Sequence, residues 1–267
     1  MLKKLILLCF FPLLIFFCDV PTGLKPTQSG IAGTVFFKNE WPKQTDEVMV
    51  VAATVFPPTS LEDIIMSEPL DTFVDSANYV IWTNPEAFAA VGVVWKEKEQ
   101  PWEVTNIIGI YFPTDDKFTP GSVTIPDRNT LVDSINIEAD LSVARRKVDS
   151  VIEGTLTLTD EWWDGAEYVL VIAAKTILNP GLLDLTFGFP MEANFDTTTY
   201  SLPVQPGTYV AIGAIVTEKG QPIGTESIKG FYKKKASDRL PTIVKIPTDT
   251  TRISNIDITI DYDFRFP

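Results

Sequence analysis

The chain of 267 residues contains no histidine, and that absence removes whole classes of chemistry. Ser-His-Asp and Cys-His nucleophile systems need an imidazole to move a proton, and the common zinc sites need one as a ligand. No glycine loop has phosphate-binding spacing. Carboxylates are what remain for catalysis, since two facing acids can divide general acid and general base work. The candidates are Asp115 with Asp116, and Asp257 with Asp261 and Asp263. The same residues read more simply as a solvated turn and the wet face of a strand, and that reading is preferred.

Two other groups could bind rather than react. Asp160, Glu161 and Asp164 fall within five residues, and a calcium ion takes several oxygen ligands of this kind. Their spacing is not that of an EF-hand, so a hydrated acidic turn is the competing reading. Calcium is the only cofactor the sequence suggests. Trp41, Trp162 and Trp163 lie in turns, where a flat aromatic ring beside carboxylates could stack on a sugar. Alternatively, these rings close the ends of a folded unit.

The elements that would position these residues occur twice. Ile31-Ala-Gly33-Thr34 returns as Ile152-Glu-Gly154-Thr155, a shift of 121 residues. The same shift carries Glu40-Trp41 onto Glu161-Trp162, Tyr79 onto Tyr200, Pro85 onto Pro206 and Gly92 onto Gly213. Gly109 and Tyr111 fall on Gly230 and Tyr232, and Ile125-Pro126 on Ile246-Pro247. A constant offset without a gap is the mark of a tandem duplication. The expected division is a repeat over 31–142, a linker over 143–151 and a second repeat over 152–267. The Arg145-Arg146-Lys147 run makes the linker read as solvated.

Strand signals fill each repeat. Ser134-Ile-Asn-Ile-Glu-Ala-Asp140 and Asn255-Ile-Asp-Ile-Thr-Ile-Asp261 alternate apolar and polar residues, so one face should be wet. Val48–Phe56 and Tyr168–Ile177 are nearly continuous apolar runs and should be covered on both faces. Leu61–Ile65 and Leu182–Leu185 suggest short helical turns. Pro206-Gly207 predicts a turn with glycine at positive φ, and Glu86 at the corresponding place predicts a different turn in the first copy. The fold class is all-β, with two tandem sandwiches of about seven strands each. The 17 Phe, 6 Trp and 20 Pro suit such a chain.

Before the repeats comes a different kind of segment. Lys3 and Lys4 precede an apolar run from Leu5 to Phe17, too short to span a bilayer, and Cys18 closes it. This pattern resembles a bacterial lipoprotein signal peptide, although Ile15-Phe16-Phe17 stand where that family has small residues. The resemblance implies removal of 1–17 and lipidation of Cys18, with 18–30 as a flexible tether rich in Pro, Thr and Gly. It places the chain in the bacterial cell envelope, at the outer membrane in preference to the inner. No cysteine follows Cys18, so no disulfide framework is available. A net charge of −13 argues against nucleic acid as a partner.

The repeats resemble carboxypeptidase regulatory-like, or prealbumin-like, domains. The residues that carry the likeness are Ile31–Val35 and Ile152–Leu156, the Pro206-Gly-Thr-Tyr-Val-Ala run, and the closing Ile-x-Ile strand after Ile-Pro. The resemblance implies a spacer, an adhesin module or a carrier of binding sites, with another envelope protein or a glycan as partner. The preferred function is a lipid-anchored binding or structural module without catalysis. A carbohydrate-binding accessory protein is the first alternative and a carboxylate-only hydrolase the last. Function is expected where the copies differ: the Trp162-Trp163 turn, the 60–75 and 181–196 loops, and the first copy's extra Trp82, Trp95 and Trp102.

Overall fold

A computed structural model describes residues 29–265 except 59, 104, 178–180 and 236. Cys18, the leader and the tether up to residue 28 lie outside the described residues. The first repeat contains β1 (Gly30–Lys38), β2 (Thr45–Ala53), β3 (Ile64–Met66), β4 (Ser76–Trp82) and β5 (Ala87–Phe88). It continues with β6 (Ala90–Glu97), β7 (Ile107–Ile110), β8 (Val123–Thr124), β9 (Leu131–Val132) and β10 (Ile137–Asp140). The second contains β11 (Val151–Leu158), β12 (Ala166–Ala174), β13 (Leu185–Phe187), β14 (Met191–Glu192), β15 (Thr197–Pro203) and β16 (Gly207–Tyr209). It ends with β17 (Ala211–Glu218), β18 (Ile228–Phe231), β19 (Val244–Ile246), β20 (Arg252–Ile253) and β21 (Ile258–Ile260). Among the described residues there is no α-helix. The expected helical turns are 3-10 turns at Leu61–Asp63 and Leu182–Asp184.

The pairing repeats with the sequence. Antiparallel β1 and β4 match Gly30 to Trp82, and β11 and β15 match Val151 to Pro203, each 121 residues on. The last long strand runs parallel to the first in both copies. The bulge between Thr45 and Glu47 returns between Ala166 and Tyr168. In the first repeat β3-β2-β6-β7 continues through β10 into β1 and β4, so one sheet wraps round the core. In the second, β13-β12-β17-β18 and β15-β11-β20 are separate layers. Both copies are thus β-sandwiches, and the chain is all-β as the sequence implies.

Each sandwich has its own interior. Ile31, Val50, Ile81, Val93 and Ile137 fill the first, and Ile152, Val171, Leu202, Ile212 and Ile258 the second. A third apolar cluster joins the repeats. Leu170, Ile172 and Ile215 come from the outer face of the β12–β17 sheet, and Ile110 and Phe118 from the first repeat. This explains the continuous apolar run of β12. Val169, Val171 and Ala173 face the sandwich interior, while Leu170, Ile172 and Ala174 face the other repeat. Alternation disappears because neither face meets water.

Two expectations need correction. The closing strands are shorter than their alternating patterns predict, four residues in β10 and three in β21. Ser134 and Asn255 break them by taking φ of 65° and 63°. The chain then passes close over Gly33 and Gly154, where a side chain would collide with the Ile135 and Ile256 carbonyls. Gly207 is not the second central residue of a turn. It opens β16 opposite Ile246 at φ 155°, an extended backbone beyond the reach of other residues. Its counterpart Glu86 keeps a negative φ, so β5 starts one residue later, at Ala87.

Candidate functional site

The turn tryptophans sit at the sandwich ends. Trp41 lies between Phe37 and Phe73, with ring centroids at 4.6 and 5.5 Å. Its Nε1–H donates to the Val74 carbonyl at 3.0 Å, and Trp162 repeats the bond to Phe195 at 2.8 Å. Trp163 packs on Trp162 and on Tyr262, and its Nε1–H donates to Glu218 Oε1 at 2.9 Å. All three are half-buried and pack on or beside the cores. Their polar atoms are therefore committed within the protein, and the arrangement closes the ends of the sandwiches.

The acidic candidates are spread out. Asp160, Glu161 and Asp164 are exposed and do not converge; among the described residues no three acidic side chains group as metal ligands. The turn that links β11 to β12 packs Trp162 and Trp163 against the core and leaves these three acids at the surface. Asp46 and Glu47, near the corresponding place, both pair with Lys96. Of the five acids considered for catalysis, Asp116, Asp257 and Asp261 accept from backbone N–H groups, and Asp263 is exposed. Asp116 accepts from Phe118 N–H at 2.8 Å, which holds its pKa low together with Thr119. Asp257 accepts from Thr155 N–H at 2.9 Å, and Asp261 from Asp263 N–H at 2.8 Å. Asp115 is exposed.

The linker departs most from the sequence reading. Arg146, Lys147 and Asp149 are exposed as expected, but Val143–Arg145 and Ser150 are packed, because the linker crosses the seam between the repeats and its polar backbone groups need partners there. Buried Asn106 accepts from Arg145 N–H at 2.9 Å and donates to the Arg145 carbonyl at 2.8 Å. Glu97 accepts from Lys147 N–H at 2.6 Å, and Gln205 donates to the Arg146 carbonyl at 2.7 Å. Buried Ser150 donates to the Val204 carbonyl at 2.5 Å.

A cleft opens along this seam in two adjoining parts. One part, of about 250 Å³, is walled by the linker at Ser142–Arg145, by Lys175 and by the 182–187 loop. The other, of about 280 Å³, is walled by Phe56, Pro58, Trp102, Leu170 and Phe189. Thr105, Ile107 and Phe187 border both. The 181–196 loop and Trp102, two places where the copies differ, are thus brought together. Arg145, Lys175 and Asn106 were not singled out for binding by the sequence, because a basic run and an isolated amide carry no periodic signal.

No protein-family model matches the sequence, and no curated protein matches it. Solved structures do match. A leucine-rich repeat protein from Bacteroides thetaiotaomicron shares 11% identity at a TM-score of 0.31, covering 86% of this chain and 26% of its own. The streptococcal ancillary pilin shares 7% identity at a TM-score of 0.23, covering 86% of this chain and 69% of its own. The shaft pilin of Lactobacillus rhamnosus GG shares 11% identity at a TM-score of 0.20, covering 90% and 99%. The chain thus spans about a quarter of the first of these proteins. At such scores the likeness carries no argument about function, and the architecture rests on the strand pairings themselves.

Proposed function

We propose that the chain is a binding or structural module of the bacterial cell envelope, without catalytic activity. A lipid on Cys18 holds it to the membrane, residues 1–17 being the signal peptide. Residues 31–142 and 152–267 are the two sandwich units. The observation that carries the reading is the seam: a third apolar cluster and a hydrogen-bonded linker make one body of two sandwiches. Two sandwiches joined by a shared apolar cluster, set beyond a Pro-, Thr- and Gly-containing stretch, suit presentation of a surface away from a membrane. The engagement of Asp116, Asp257 and Asp261 with backbone N–H groups supports a structural role for these acids.

Membrane fractionation with metabolic acyl labelling tests the anchor. The intact chain should sediment with membranes and carry label, and Cys18→Ala should lose the label. An unlabelled intact chain, or a Cys18→Ala variant that still carries label, rejects lipid anchoring at this position.

A further inference from the structure

Arg145 stands apart from the other charged groups of the seam. Its backbone is fixed on both sides by Asn106. Its side chain is partly buried, yet among the described residues its guanidinium takes part in no ion pair and no hydrogen bond. Burial lowers its pKa, and the negative charge of Glu103 opposes this from beyond ion-pair distance. The chain carries 35 acidic and 22 basic residues. Glu103 acts on it only from a distance, so its guanidinium donors are taken up by no protein group among the described residues and remain accessible.

The surroundings of Arg145 specify an anion and an apolar body together. Lys175, exposed and without an ion pair among the described residues, lines the same part of the cleft. Asp184 also lines it, but its Oδ2 accepts from Gly181 N–H at 2.9 Å, so that oxygen serves the loop. The Tyr209 hydroxyl donates to the Gln205 carbonyl at 2.8 Å, with Arg145 near enough to act on it electrostatically. Beyond Thr105 and Phe187 the wall is mostly apolar, through Phe56, Trp102 and Leu170 to Phe189, which is 69% exposed at the rim, and it includes the acidic Glu103. Volumes of about 250 and 280 Å³ fall together within the range of small-molecule sites.

We propose that the seam between the repeats is a binding site for a small amphipathic monocarboxylate, its carboxylate on Arg145 and Lys175 and its aliphatic or aromatic body in the adjoining apolar part. The two cations confer selectivity for an anionic end, and the apolar walls supply the driving force by excluding water. This rests on the reading of the chain as a binding module and is independent of the anchor. Failure of acyl labelling at Cys18 leaves it standing, and failure to bind a carboxylate leaves the anchor standing.

The test uses residues 18–267, the chain without its apolar leader, carrying Cys18→Ala, with decanoate and decanol as probes. Binding is followed by Trp fluorescence and by displacement of 8-anilinonaphthalene-1-sulfonate. Decanoate should bind at least tenfold tighter than decanol. Arg145→Gln should remove at least tenfold of the decanoate affinity while leaving decanol unchanged. Lys175→Gln and Phe189→Ser, both at exposed side chains, should each weaken decanoate severalfold, and only Phe189→Ser should also weaken decanol. These two keep the test decisive if Arg145→Gln does not fold. No binding of either probe overturns the proposal. So does equal binding of decanoate and decanol, or a decanoate affinity unchanged by both charge substitutions.

Discussion

Asn106 grips the backbone of Arg145 from both sides, its Oδ1 accepting from the N–H at 2.9 Å and its Nδ2 donating to the carbonyl at 2.8 Å. The two residues lie 39 positions apart, in the first sandwich and the linker. One buried amide side chain therefore replaces the backbone partner that a strand would have supplied. Truncating it leaves both groups unpaired, and each buried unpaired group costs about 1–3 kcal/mol. Asn106→Ala should lower stability by about 3 kcal/mol and speed proteolytic nicking in 143–150. Urea denaturation and limited proteolysis check the two effects; an unchanged midpoint would show that the linker is held by other means.

Tyr79 and Tyr200 make one bond twice. Their hydroxyls donate to the Ile135 and Ile256 carbonyls at 2.7 and 2.6 Å, at the point where the chain crosses Gly33 and Gly154. Burial raises both phenol pKa values, so both remain donors well above neutral pH. Tyr79→Phe and Tyr200→Phe should each cost about 1–2 kcal/mol by stranding a buried carbonyl. The bonds share no partner, so the double variant should show nearly the sum. Thermal unfolding of the single and double variants measures this.

The glycine and tyrosine of that crossing were legible in the sequence because duplication kept them: Gly33 and Tyr79 recur as Gly154 and Tyr200. The sandwich core was legible for a related reason, since Ile31, Val50 and Ile137 face inward at strand period. The seam was not. Leu170 and Ile172 are as apolar as Val169 and Val171, and nothing in their spacing says that one face meets a sheet and the other a second repeat. Arg145 was read as solvated because its composition is that of a surface residue; only the fold shows Asn106 reaching it across the seam.

Asp140 gives the stability a definite pH dependence. Burial opposes its ionised form, but bonds from the Ser142 hydroxyl and N–H and from Asn39 Nδ2, with Lys38 nearby, outweigh it and hold the pKa below normal. A carboxyl with a depressed folded pKa stabilises the native state above its unfolded pKa of about 3.9, and the contribution is lost as pH falls through the folded value. Asp140→Asn should therefore be less stable than the parent chain at neutral pH and approach it in stability as pH falls through the depressed folded pKa of Asp140. Denaturation midpoints of both chains across that range test it; a constant gap would place the effect in packing rather than charge.

Trp95 and Thr45 form a pair that the second repeat lacks. The indole is 1% exposed, and its Nε1–H donates to Thr45 Oγ1 at 2.8 Å. The residues 121 positions on are Val216 and Ala166, so the same backbone is compatible with a small apolar pair. Trp95→Val should leave a cavity in the first core and cost about 3–5 kcal/mol. Thr45→Ala in the parent chain should cost about 1–2 kcal/mol, because the buried N–H then has no acceptor. In the Trp95→Val background the same Thr45→Ala change should cost less, since only the Thr45 hydroxyl's bond to the Pro42 carbonyl at 2.8 Å is then lost. The coupling energy of the double-mutant cycle reads the hydrogen bond directly. Equal costs of Thr45→Ala in the two backgrounds would show that the threonine acts through its bond to Pro42 and the bulge at 45–47 and not through the indole.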